Sequence, residues 1–398
     1  MSGTEPTEPE ATGTDGADPT ETDGADPAER HPEGEAAETA DRGTLGVRDR
    51  VLVLPSVICS HVVAERIADN VEGCIAAPHD HGCAQLGRDN DRTRDTLLAL
   101  GTHPNVAGTV VVGLGCEHVQ SDSLAATLEE RGVEVRELSI QGVGGTEACV
   151  DRGTELARSL RERTAVDLAP PSMSDLTVGI VSTDLAASTR EEAAPLVGGF
   201  ADRVVEAGGR VLVTGSERIA AHPAAVRDRL ADDAGSDLDE ALDAVLRADR
   251  QGPPRTPRLR SRADECDAET AMQEWGTSPI DAILDPGERP GPDVDVGVVD
   301  SPSRFEEAAT ALVASGAHLV VHVTADGIPT GHPIAPVVKV SASDETLAAL
   351  GGDIDVDARR ASVADLEDVV CDVAGGSESR TERHGVTTFA IERVGPSM

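Results

Sequence analysis

Cysteines, histidines and acids recur at four places where a short apolar run gives way to a loop. Cys59 and His61 follow the first run, and Pro78-His79-Asp80-His81-Gly82-Cys83 follows the second. Gly113-Leu114-Gly115-Cys116-Glu117-His118 follows the third, with Gln120 close behind, and Gln141-Gly142-Val143-Gly144-Gly145-Thr146 follows the fourth. Three of the seven cysteines and four of the eleven histidines fall in these loops. Thiolate and imidazole are ligands for Zn²⁺ or Fe²⁺, and adjacent carboxylates can complete a site open to substrate. Three cysteines suit an iron–sulfur cluster equally well. Gly144-Gly145-Thr146 ahead of a helix offers amide donors to an anion. Any one of these residues alone reads as packing, because free cysteine is among the most buried residue types. The clustering favours a site.

The elements that must position these loops are legible from periodicity. Residues 51–54, 74–77, 109–112 and 133–140 read as strands. Helices over about 60–70, 93–100, 124–131 and 147–160 separate them, the first capped by Ser60. Near-continuous apolar strands between helices mean a parallel sheet covered on both faces. Ligands of such sheets sit beyond the carboxyl ends of the strands, where the four loops fall. Residues 168–175, with Pro170-Pro171, read as a linker. A second pattern then runs through strands 176–181, 210–214, 294–299, 319–323 and 336–340 and helices 191–207, 304–315 and 363–373. Residues 250–292, rich in Arg, Pro and Gly, read as an irregular excursion with one short helix near 267–275. Residues 1–42 carry a direct repeat (14–19 and 22–27) and almost no large apolar side chain, so they cannot offset their ordering entropy. The expected class is α/β: a disordered acidic tail (1–42) and two parallel-sheet, Rossmann-like α/β domains (43–165 and 174–395).

Composition narrows the function classes. The 398 residues carry 34 Lys+Arg against 73 Asp+Glu, a net charge of −39, and Lys339 is the single lysine. Such a surface repels phosphate backbones and anionic lipid, so neither nucleic acid nor a membrane is an expected partner. No window approaches the ~20 apolar residues of a span, and the N-terminus lacks a basic, apolar leader pattern. A cytoplasmic, halophile-type protein is expected, since concentrated salt shortens the Debye length to ~3 Å at 1 M and screens self-repulsion. Scattered cysteines in such a chain argue against a disulfide framework.

The motifs also carry a resemblance. His79, Gly82-Cys83, His103-Pro104-Asn105, Gly113-Leu114-Gly115-Cys116-Glu117 and Ile140-Gln141 with Gly144-Gly145-Thr146 resemble the altronate/galactarate dehydratase family. So do Val47-Arg48-Asp49, Leu54-Pro55-Ser56 and Cys59 before them. Gly331, Pro336-Val337-Val338-Lys339, Asp353-Ile354-Asp355 and the stretch from Ala374-Gly375-Gly376-Ser377 to Gly385 and Phe389 continue the likeness. The resemblance implies a metal-dependent hydro-lyase that removes water from a sugar acid in its catabolism, giving a 2-keto-3-deoxy acid. The metal would be divalent, Fe²⁺ as in the family, with Zn²⁺ or Mn²⁺ as alternatives. It implies Cys59, His79, Cys83 and Cys116 as metal ligands or their close neighbours. Glu117, His81 and Lys339 are the implied catalytic groups, and Gln141, Gly144, Gly145, Thr146 and His332 the substrate contacts. Relatives eliminate sulfite from sulfolactate on the same scaffold.

Departures from the family pattern feed a second expectation. Val181-Ser182-Thr183-Asp184 stands where a Cys-Gly-Gly-Ser-Asp motif is usual, Arg255–Arg262 replaces a lysine-bearing middle, and Asp326 replaces a loop arginine. These changes suit a catalytically weakened paralogue acting as a partner or regulatory subunit. The family's small N-terminal module has no counterpart, so a separate small subunit is an expected partner, with homo-oligomerisation open. His318 and His322, four apart on a strand, read as packing. Lys339 reads equally as a functional or a paired structural cation, and Glu217 equally as a site carboxylate or a helix N-terminal charge.

Overall fold

The computed structural model describes residues 45–393 and 395, apart from 167, 232–234 and 252–254. The acidic tail read from residues 1–42 lies outside the described residues. Two sheets form, and every strand pairing in both is parallel, as the strand–helix alternation predicts. The first holds β1 (Arg50–Pro55), β2 (Cys74–Ala76), β3 (Val106–Gly113) and β4 (Val135–Ser139) in the order β2-β1-β3-β4. The second holds β5 (Thr177–Ser182), β6 (Arg210–Thr214), β7 (Ala282–Leu284), β8 (Val296–Val299), β9 (Leu319–Val323), β10 (Val337–Ser341) and β11 (Val356–Asp357). Its order is β11-β10-β9-β5-β6-β8-β7. Both sheets belong to one compact unit, Ala40–Met398.

Alternation along β1 shows why the strands are apolar without interruption. Val51 and Val53 face a core shared with helices His61–Asp69 and Thr146–Thr164, through Val63, Ile67, Ala157 and Leu160. Leu52 and Leu54 face the other way, into a second core holding Leu97, Leu100, Leu124 and Leu128. That core continues through Phe305, Leu312, Val320 and Val337 of the second sheet's side, so the two sheets share it. A third cluster, with Val178, Phe200, Val213, Val321 and Val370, covers the far face of the second sheet. Both sheets are thus buried on both faces.

The segment 250–292 is more regular than the sequence suggests. It holds helices Pro257–Asp264 and Ala268–Ala271, a 3₁₀ turn at Gln273–Trp275 and the edge strand β7. Helices Ser216–Ala221, Pro223–Asp228, Gly235–Gln251 and Asp344–Leu350 likewise go beyond the elements expected. Among the described residues no helix is long and apolar enough to cross a membrane.

Each sheet has one place where the chain reverses its direction of strand addition. In the first it lies between β1 and β3; in the second it lies between β5 and β9. Carboxyl-end crevices at such switch points are where open parallel sheets bind ligands.

Candidate functional site

At the first switch point the loop after β3 is shaped by Glu117, which is 3 % exposed. One carboxylate oxygen accepts the Ser56 hydroxyl at 3.0 Å from the end of β1. The other accepts the backbone N–H groups of Gly115 at 2.6 Å and Cys116 at 2.9 Å. Burial opposes the charge, but these donors outweigh it and hold the carboxyl below its ordinary range. Gly113 permits the approach, since a Cβ there would lie 2.4 Å from the Glu117 carboxylate. Glu117 is therefore a permanent anion that clamps the Gly115–Glu117 turn onto β1. Glu117→Ala leaves two amides and a hydroxyl unpaired and should cost about 2–3 kcal/mol in urea unfolding. A change below ~0.5 kcal/mol, the size of an ordinary surface substitution, would show the clamp to be unnecessary.

The histidines of this rim are equally committed. His79 accepts the His81 amide on Nδ1 at 3.1 Å and, with Nε2, donates to the Pro55 carbonyl at 2.7 Å. Burial pushes it down to about 4, so it is neutral. His81 reaches the Ile391 carbonyl through Nε2 at 2.8 Å and accepts Gln85 Nε2 on Nδ1 at 2.8 Å. Its pKa is also lowered by burial. A cleft of about 120 Å³ lies here, lined by His61, Pro78, His79, Asp80, His81 and the Phe389-Ala390 segment. Cys59, Cys83 and Cys116 are exposed, and Gln141 Nε2 lies 3.9 Å from Cys116 Sγ. Gly144 and Gly145 adopt φ of +95° and +120°, with Thr146 opening the following helix; together with exposed Gln141 they form an outer lip.

A metal needs lone pairs that converge. His79 and His81 spend both ring nitrogens on the protein, and among the described residues no three His, Cys, Asp or Glu side chains are placed to hold an ion. The four expected ligands thus do not form a ligand set in this conformation.

His332 and Lys339 belong to the second sheet's side instead. His332 is buried with Nδ1 facing the amides of Ile334 and Ala335, at 3.3 and 3.4 Å, and burial pushes it down to about 3. Its ring lies 5.8 Å from that of Phe389, which in turn is 6.3 Å from His79. Lys339, 1 % exposed, donates from Nζ to the Ile328 carbonyl at 2.8 Å. Burial lowers its pKa against the opposing pull of Asp353 and Asp355.

The second switch point carries the larger chemistry-bearing cleft, about 450 Å³. Thr183 follows β5, His322 stands near the end of β9, and Ser303 follows β8. Arg255, Arg258 and Arg304 close the cleft from the outside. Arg255 is held by Asp300 at 3.0 Å and Glu392 at 3.1 Å. Arg304 pairs with Glu307 at 2.5 Å and donates to the Arg255 carbonyl at 3.1 Å. Arg258 is exposed and has no ion pair among the described residues. Asp184 ties the wall together, accepting the Ala186 amide at 2.9 Å, the Thr189 hydroxyl at 2.6 Å and the Ala325 amide at 2.6 Å. Beneath lies a buried Glu217–Arg218–Glu274 cluster, whose guanidinium also donates to Ser303 Oγ at 2.6 Å and the Ser182 carbonyl at 3.0 Å.

Sequence reasoning passed over Thr183, Arg258, Ser303, Arg304 and His322 as site residues. The signal that would have found them is the carboxyl-end rule applied to the second sheet as well as to the first. A further cleft of about 590 Å³ lies against helix Ala194–Glu206 between Gly198, Gly199, Met272 and Gln273, and neither histidine nor cysteine lines it.

Comparison with known proteins agrees with both halves of the chain. Residues 39–165 match the second domain of D-galactarate dehydratase/altronate hydrolase, and residues 265–397 match the C-terminal domain of D-galactarate/altronate dehydratase. The beta subunit of (2R)-sulfolactate sulfo-lyase from Chromohalobacter salexigens is 26% identical over 383 residues, covering 89% of this chain and 96% of that one. Altronate dehydratase of Escherichia coli is 26% identical, covering 91% and 80%. Altronate dehydratase of Bacillus subtilis is 25% identical, covering 90% and 77%.

Proposed function

The chain belongs to the D-galactarate/altronate dehydratase family, and from that premise we propose that it is a carbon–oxygen lyase that eliminates water from a small hydroxy or sugar acid in the arginine-lined cleft at the β5/β9 switch point. The observation that carries the reading is the cleft itself. Three guanidinium groups surround a cavity of substrate size in a chain of net charge −39. Anionic substrates would be repelled almost everywhere else on such a surface.

Elimination next to a carboxylate requires that the acid be held while its α-proton leaves and charge builds on the carboxylate oxygens. Arg258, unpaired among the described residues, is free to take a carboxylate bidentately, and Arg304 lines the same cleft. Both are placed to stabilise the enediolate more than the ground state, which is what lowers the barrier. Ser303 and Thr330 offer hydroxyls for the substrate's own hydroxyl groups. Loss of the β-hydroxyl then gives an enol that ketonises to a 2-keto-3-deoxy acid. Arg255 and Arg258 come from the stretch that replaces the family's lysine-bearing middle.

A second reading is supported by the likeness to the sulfo-lyase beta subunit, 26% identical over 89% of this chain. Elimination of sulfite from a sulfonated hydroxy acid, with a separate small subunit as partner, would use the same arginines. A panel of aldonic, aldaric and sulfonated hydroxy acids, assayed for 2-keto product and for sulfite, separates the two readings. Arg258→Ala should lower kcat/KM by about 10–100-fold, the cost of one lost charge-assisted bond, with kcat falling as well as KM rising. If no acid in the panel yields either product, the lyase reading fails.

A further inference from the structure

His322 is the residue of the cleft whose chemistry is unspent. It stands near the end of β9, 1 % exposed, directly beside the switch point. Its Nε2 lies 3.0 Å from Thr183 Oγ1, and that hydroxyl has the Val323 carbonyl at 3.4 Å to donate to. With the Thr183 hydroxyl donating to the Val323 carbonyl, the imidazole proton is assigned to Nε2, donating to Thr183, which leaves a lone pair on Nδ1. Nδ1 is buried and has no partner among the described residues. A tilted stack on Phe305, with ring centres 4.3 Å apart, fixes the ring plane. Phe305, Thr183 and His322 all line the cleft with Arg258 and Arg304. A buried polar atom without a partner is costly and calls for an explanation. His79, His81 and His103, by contrast, each occupy both ring nitrogens.

We propose that His322 is the catalytic base of the cleft, its Nδ1 taking the proton α to the carboxylate of an acid anchored by Arg258 and Arg304. This rests on the lyase reading and deepens it. The α-C–H bond breaks, its proton passes to Nδ1, and its electron pair moves into the carboxylate to give the enediolate held by the arginines. That pair then forms the C=C bond as the carboxylate is restored and the β-C–O bond breaks. The departing hydroxide takes the proton back from Nδ1 as water, so one residue serves as base and then acid, and atoms and charge balance. Thr183 is a positioning residue, since it fixes the tautomer.

The electrostatics fit a base that substrate switches on. Burial and the neighbouring Lys339 push His322 down to about 3, so its imidazole is neutral. Lys339 is its cross-strand partner in the β9/β10 register. An anion bound nearby favours the imidazolium and raises that value toward the range where proton transfer is effective. Glu306 is the acid among the cleft-lining residues, and Arg255, Arg258 and Arg304 are its cations.

The full-length protein would be incubated with each acid in D₂O, following product and α-deuterium incorporation by NMR. His322→Gln should lower both elimination and α-exchange by about 10²–10⁴-fold with KM little changed, while the melting temperature stays within a few degrees of wild type. Thr183→Val is the second variant should His322→Gln fold poorly; it should lower kcat with KM unchanged. If His322→Gln, or a folded Thr183→Val in its stead, eliminates and exchanges at the wild-type rate, His322 is not the base, although the lyase reading stands. If wild type neither eliminates nor exchanges any acid, the lyase reading itself fails and takes this assignment with it.

Discussion

Arg218→Met should lower stability by about 3–5 kcal/mol, more than an ordinary core truncation of similar size. Arg218 is fully buried at the floor of the β5/β9 cleft. It pairs with Glu217 at 2.6 Å and Glu274 at 3.2 Å, and donates to the Ala271 carbonyl at 2.9 Å. Two acids share this one cation. Glu274, 1 % exposed, has no hydrogen-bond partner on either oxygen, and burial already raises its pKa. Removing the guanidinium would strand both carboxylates in a low-dielectric interior, where an unpaired charge costs far more than the pair contributes. Urea unfolding of wild type and variant measures the loss. The triple variant Arg218→Met, Glu217→Gln, Glu274→Gln should recover much of it, because neutralising a whole buried cluster is often close to neutral. A single variant within 1 kcal/mol of wild type would mean that the cluster does not hold the floor. Because Arg218 also grips Ser182 and Ser303, the loosened variant should lose activity beyond its loss of stability.

The sheets were legible because burial on both faces leaves nothing polar to break the strand signal. Val51 and Val53 pack on one side and Leu52 and Leu54 on the other, so β1 is one apolar run. Helix Pro257–Asp264 was illegible for the opposite reason: it buries only Leu259 and Ala263, too few apolar contacts to show a period. Strand order is invisible to periodicity. Only the insertion of β9 beside β5 brings His322 to Thr183 across 139 residues.

The same limit governs the first rim. That His79, His81 and Cys116 stand at strand ends follows from local pattern. Whether an imidazole is free depends on distant carbonyls, and His81 is occupied by Ile391, 310 residues away. Glu117 looked like an acid or base by type. Two backbone amides and one hydroxyl, placed by a turn no pattern encodes, make it a fixed anion. The departures from the family pattern also read differently in three dimensions. Arg255 and Arg258, from the stretch that replaces the family's lysine-bearing middle, line the cleft at the β5/β9 switch point.

Between about pH 4.5 and pH 7 the folded chain should lose about 3 kcal/mol of stability through Glu392 alone. This carboxyl, 8 % exposed, is held by Arg92 at 3.0 Å and Arg255 at 3.1 Å, yet it is pushed up to about 7. Burial is the largest cause, and Asp300 and Glu307 add repulsion. The two arginines fall short because Arg255 is shared with Asp300 and Arg92 with Asp285 at 3.9 Å. A raised folded pKa means that the native state keeps its proton while the unfolded chain, near its ordinary 4.5, has released it. The stabilisation is complete below about pH 4.5 and is lost as pH rises through 7. Glu392→Gln cannot titrate, so its stability relative to wild type should climb by about 3 kcal/mol between pH 4.5 and pH 8. The difference between the two proteins cancels the titration of every other acid. A difference that stays flat across that range would mean Glu392 ionises normally and that its arginines fully compensate its burial. Glu392 also lies one residue after Ile391, whose carbonyl holds His81, and it grips Arg255 of the cleft. One C-terminal segment thus touches both carboxyl-end rims, and the pH at which Glu392 ionises is the pH at which its hold on Arg255 becomes a full ion pair.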